Sequence, residues 1–192
     1  MAIAVKKTDP QLIDRVIEVV QDALADNLPW LNYAFGKAER LKHDINGRIY
    51  YLPNVYRGKN DYIDISPDDR QIGNYSFFTV DEPQYVDWVA GQQNTIHTYC
   101  SLIVWVDMRS VEPTDERNTE LIKRDILRVL NGKVHLKEGT FSVKRIFEKA
   151  ENVFDGFSLD EVDNQYLMHP YCGWRFYGEI TITDICELLL TT

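Results

Sequence analysis

Apolar positions first recur at helical spacing, with Leu12, Ile13, Val16, Ile17, Val20 and Leu24 on one stripe. Thr8 and Gln11 fit a capping box and Pro10 suits a first turn, so a helix is expected to open in this stretch. In "PWLNYAFGKAERLK", Trp30, Ala34, Ala38 and Leu41 also fall on one side of a helix, and a second helical piece is expected there. The third helical pattern is "DERNTELIKRDILRVLNG". Its stripe is Leu121, Ile122, Ile126, Val129 and Leu130, with Asn131-Gly132 as the expected C-cap.

Elsewhere the period changes to two. In "NTIHTYCSLIVWVDM", Thr98, Cys100, Leu102, Val104, Val106 and Met108 share one face, while Tyr99, Ile103 and Trp105 occupy the other. Apolar residues on both faces suggest a central strand covered on both sides, or covered on one side and joined to a partner on the other. In "PYCGWRFYGEITIT", Cys172, Trp174, Phe176, Ile180 and Ile182 alternate with Arg175, Tyr177, Glu179, Thr181 and Thr183. Shorter strands are expected at Ile49–Tyr51 and in "YSFFTV", and "FSVKRIFEKAENVFDGFS" reads as a strand followed by a turn. The order predicts an α+β fold: a mostly antiparallel sheet with two main amphipathic helices packed on one side.

Length adds that 192 residues suit a single domain spanning 1–192. Residues 58–90 stand out as a long, irregular, acidic loop or arm. Lys59 and Arg70 face seven acids there, and Pro67 and Pro83 interrupt it. A hydrophobic fraction of 44% belongs to a folded chain. The 21 Lys and Arg against 30 Asp and Glu give −9, which opposes stable nucleic-acid binding. Three widely spaced cysteines, Cys100, Cys172 and Cys186, read as reduced thiols of an intracellular protein. The first residues lack a secretory h-region and "LIVWV" is far short of a membrane span, so a cytoplasmic protein with no membrane partner is expected.

The residues that carry chemistry do not assemble into a motif. His169 and Cys172 lie close in sequence, but one His and one Cys leave two zinc ligands unfilled, and Cys172 shares its face with Trp174 and Phe176. No Gly-x-Gly, Gly-x4-Gly-Lys or nucleophile elbow occurs. Asp61, Asp64, Asp68 and Asp69 are acids that a hard cation would accept, but they do not follow the EF-hand order. The expectation is therefore no catalytic residue, no cofactor and no metal. Aromatics crowd the middle third among acids, a composition that favours protein interfaces over base stacking. The candidate oligomer-interface residues are Tyr62, Ile63, Ile65, Tyr85, Trp88, Val89, Arg175 and Tyr177.

The helix beginning near Asp9, the strand "YCSLIVWVDM", the helix "TELIKRDILRVL" and the final "PYCGWRFYGEITIT" come in an order that resembles bacteriophage tail-terminator or tail-completion proteins. That resemblance implies a structural, non-enzymatic subunit that forms a homo-oligomer, as a ring, at the head–tail junction. Its partners would be tail-tube or head–tail connector proteins, and its place the virion tail after synthesis in a cytoplasm. The alternatives are a small metal-dependent hydrolase using the Asp61–Asp69 cluster with His97 or His169, and a monomeric acidic protein-binding module.

Overall fold

Strand β7 (Thr95–Asp107) organises the fold, because it is buried along most of its length and paired on both edges. The computed structural model describes residues 2–67, 72–87, 94–111, 118–133, 139–158 and 167–183. Among them the chain runs β1 (Ile3–Val5), α1 (Ile13–Asn27), β2 (Tyr33–Ile45), β3 (Arg48–Gly58), β4 (Asp61–Asp64), β5 (Tyr75–Val80), β6 (Tyr85–Asp87) and β7. A short 3-10 turn, α2 (Thr119–Lys133), β8 (Gly139–Phe147), α3 (Ala150–Val153) and β9 (Tyr171–Thr183) follow. The strand order is β4-β3-β2-β5-β7-β9-β8, with β1 beside β2 and β6 beside β7. Among the described residues only the β1–β2 and β2–β5 pairs are parallel. The fold is α+β with a mostly antiparallel sheet and two main helices.

The two faces of β7 separate two apolar layers. Cys100, Leu102, Val104 and Val106 join Trp174, Phe176, Ile180 and Ile182 of β9 under the stripes of α1 and α2. Ile103 and Trp105 point the other way, into a layer with Phe35, Leu52, Ile65, Tyr75 and Phe77. Val153, Phe154 and Phe157, in and just after α3, close that second layer. Both faces are therefore covered around the middle of β7, as its apolar residues on both sides predict.

The helical stripes hold, while their ends differ from expectation. Ile13, Val16, Ile17, Val20 and Leu24 are buried, but Leu12 lies outside the helix with φ of 49°. The capping box does not form: α1 has no side-chain cap, and Gln11 Nε2 donates instead to Asp9 Oδ1 at 2.9 Å. Gln21 is buried within α1, where its Nε2 donates to the Val5 and Ala34 carbonyls at 2.9 and 2.8 Å. That amide ties the helix to β1 and β2. In α2, Ile122, Ile126, Val129 and Leu130 are buried, Leu121 is exposed and off the stripe, and the helix runs through Gly132 to Lys133 rather than ending at Asn131-Gly132.

The second expected helical piece is a strand. Residues 33–45 form β2, whose first half is parallel to β1 and β5 and whose second half forms an antiparallel hairpin with β3. Ala34 faces the helices while Phe35 enters the second layer. Asn46 and Gly47, with φ of 55° and 79°, make the two-residue turn that the twist of a hairpin requires.

Residues 58–67 and 72–87 are more ordered than an irregular loop. They supply β4, β5 and β6, and their Ile65, Tyr75, Phe77 and Phe78 are fully buried. Asn74, 1% exposed, anchors this segment. Its Nδ2 donates to the Trp30 carbonyl and Ser110 Oγ, its Oδ1 accepts from the Asp107 amide, and its own amide donates to Asn32 Oδ1. A side chain with every polar group satisfied costs little to bury.

Candidate interaction surface

Below the part of the sheet covered by α3, the outer face of β6, β7 and β9 carries a patch of aromatic and charged residues. Period-two geometry puts His97 and Tyr99 of β7 beside Glu179 and Tyr177 of β9, through the pairs His97–Thr181, Tyr99–Glu179 and Ser101–Tyr177. Tyr99 and Tyr177 stack with their rings almost parallel and centroids 5.9 Å apart. Tyr85, from β6, stacks on His97 at 4.8 Å. The Tyr177 hydroxyl donates to Glu82 Oε1 at 3.2 Å. His97 Nδ1 lies 2.6 Å from Glu179 Oε1, Lys144 lies 3.6 Å from the other oxygen, and His97 Nε2 is 3.4 Å from Asp87.

These contacts shift proton affinities in readable directions. The Tyr99 hydroxyl beside Tyr85 raises the Tyr85 phenol to about 12. Burial, with the Glu82 carboxylate next in importance, raises Tyr177. The hydrogen bond from His97 holds the Glu179 carboxyl below its ordinary value of 4.5. A carboxyl depressed in the folded state stabilises the fold above its unfolded value, and that contribution is lost as pH falls through the folded value. The melting temperature of Glu179→Gln should therefore fall less steeply than wild type on acidification below pH 4.5. Parallel melting curves for the two proteins across that window would contradict the assignment.

Next to the patch, the sheet contains a buried ion pair. Arg175 is 8% exposed. Its Nη2 bonds Asp81 Oδ1, its Nε donates to Ser101 Oγ at 2.8 Å, and its Nη1 donates to the Asp155 carbonyl at 3.0 Å. Ser101 Oγ donates to Asp81 Oδ2, and Thr79 Oγ1 donates to Asp81 Oδ1 at 3.0 Å. Every arm of the guanidinium is used, which is the condition for tolerating a buried charge. A cleft of about 280 Å³ lies beside the pair, bounded by Arg40, Thr79, Asp155 and Phe157.

The residues expected at an interface fall into different environments. Tyr85 and Tyr177 come together on the patch, joined by Tyr99 and His97, which the interface expectation left out. Tyr62 and Ile63 lie on β4, at the far end of the strand order. Tyr62 is exposed, 3.4 Å from Glu39, whose negative charge raises its pKa; Ile63 is half-buried. Ile65 is 0% exposed and belongs to the core, so its expected place at an interface is corrected. Arg175 is corrected likewise, because Asp81 and Ser101 hold it inside the protein. Trp88 and Val89 lie outside the described residues.

The expected chemical groups are not brought together. His169 is exposed in the turn before β9, while Cys172 is buried on the helix-facing side. Burial pushes the Cys100 thiol well above its ordinary range. Asp64 Oδ1 accepts from the Ser66 amide and hydroxyl at 2.8 and 2.6 Å, an ordinary turn contact. Asp61 and Asp64 sit on β4, with three strands between them and His97 on β7. Asp68 and Asp69 lie outside the described residues. Among the described residues no three His, Cys, Asp or Glu side chains are grouped to hold a metal, and no helix is long and apolar enough to cross a membrane. No family model matches the chain, and no characterised protein matches it in sequence.

Proposed function

We propose that the chain is a non-enzymatic structural subunit of the tail-terminator or tail-completion type, which assembles with copies of itself into a ring at a phage or prophage head–tail junction. The observation that carries the reading is the Tyr85–Tyr99–Tyr177 patch on the outer sheet face. Tyrosines with an apolar ring and a hydrogen-bonding tip are suited to being covered by another protein surface. The order of helices and strands supports the same class. Its partners beyond itself would be tail-tube or connector proteins. The charge of −9 suits a channel through which DNA passes without sticking.

The same patch also fits a monomeric protein-binding module, and solution mass separates the two readings. Light scattering over a concentration series should show wild type associating. The double change Tyr85→Ala and Tyr177→Ala should weaken association by about 2 kcal/mol, roughly thirtyfold, if both are central anchors. The melting curve of the isolated subunit should stay nearly unchanged. A wild type that is monomeric throughout, alone and with tail proteins, would favour the binding module.

A further inference from the structure

The β2–β3 hairpin has a charge opposite to that of the rest of the protein. From residue 33 to residue 58 the chain carries Lys37, Arg40, Lys42, Arg48 and Arg57 against Glu39 and Asp44, a net +3. The whole chain carries −9, so the remainder carries −12. Elsewhere the bases are mostly paired: Lys6, Lys7, Arg109, Lys123, Lys144 and Arg175 each meet a carboxylate. Among the described residues none of the five hairpin bases does; Arg40 instead lies over the Tyr51 ring, 3.9 Å from its centroid.

The hairpin is also built as a projection. Beyond Lys37 no strand pairs with the far edge of β2 among the described residues, because pairing with β1 ends at Phe35 and pairing with β5 at Lys37. Its tip exposes Ile45 and Ile49, 44% and 49% accessible, beside Lys42 and Arg48. Apolar residues at the end of a charged arm point to a protein surface as the target; for the phosphates of DNA, bases alone would suffice. Lysine and arginine along an open edge also discourage unselective strand pairing.

We infer that this arm docks on the Tyr85–Tyr177 patch of a second copy of the chain, its bases meeting the exposed Glu82 and Asp87 and its isoleucines covering the tyrosine rings. The inference rests on the proposed homo-oligomer and names the contact that would build it. Arm and patch are different surfaces, so the contact is head-to-tail, the type that closes into a ring when the rotation permits.

The test mixes two defective proteins. Lys42→Glu with Arg48→Glu spoils the arm and leaves the patch; Tyr85→Ala with Tyr177→Ala spoils the patch and leaves the arm. Each alone should be monomeric at concentrations where wild type assembles. Mixed, they retain one intact junction and should form a 1:1 pair of twice 22.4 kDa that grows no further. Raising salt from about 0.05 to 0.5 M should weaken wild-type assembly by about tenfold, because the arm's charges are exposed. All the altered arm positions face solvent, and a circular-dichroism melt checks folding; Lys42→Gln with Arg48→Gln stands in if the reversal misfolds. An arm variant that assembles like wild type overturns the inference and leaves the ring reading intact. A mixture that stays monomeric also overturns it, since the contact is then not head-to-tail. If wild type never assembles, the proposed function fails first. If the arm variant keeps assembly but loses binding to a short DNA duplex, the arm is a nucleic-acid element and the inference is wrong.

Discussion

Replacing Asp81 with alanine should destabilise the protein by about 3–5 kcal/mol, the cost of leaving a buried charge without its partner. Arg175 would keep Ser101 and the Asp155 carbonyl but lose its counter-ion. Ser101 and Thr79 would lose their acceptor in the same step. Replacing both charges together, as Asp81→Leu with Arg175→Met, should recover much of the loss, since apolar substitutes for a buried pair are often tolerated. Urea denaturation of the three variants measures this. A loss below about 1 kcal/mol in Asp81→Ala would mean that the pair behaves like an exposed one.

Trp174→Ala should cost about 3–5 kcal/mol through the cavity it leaves, and much of the protein should be insoluble. Trp174 is 1% exposed on the helix-facing side of β9, paired in register with Val104. Three residues along, Tyr177 stands on the opposite face, half-buried, with its hydroxyl on Glu82. Tyr177→Ala in the isolated subunit should therefore cost far less than Trp174→Ala. Soluble yield and chemical denaturation of the two variants compare the faces directly. Equal losses would show that the outer face of β9 packs as part of the core.

The contrast between those two residues was legible in the sequence, and the Asp81–Arg175 pair was not. Alternation in β9 and β7 assigns each side chain to a face, because in a strand the face follows from position alone. The stripes of α1 and α2 were readable for the same reason, although their ends were set by local contacts such as Gln11 with Asp9. Strand β2 was misread because Trp30, Ala34, Ala38 and Leu41 do recur at helical spacing, among residues with high helix propensity. Pairing with β1, β3 and β5 overrides that propensity. The dipeptide Asn46-Gly47 carried the opposing signal, a two-residue hairpin turn. Ile63 and Ile65 alternate with Asp64 and Ser66, but so short a run among acids does not reveal that Ile65 is buried. Asp81 and Arg175 are 94 residues apart, and only the sheet order brings β5 and β9 to the two sides of β7. Tyr99 and His97 completed the patch for the same reason.

Native mass spectrometry of the wild-type protein tests the central claim most directly. A closed ring predicts one dominant species at a fixed multiple of 22.4 kDa that stays the same as concentration rises. A single peak at 22.4 kDa at every concentration, with or without tail proteins, would contradict it.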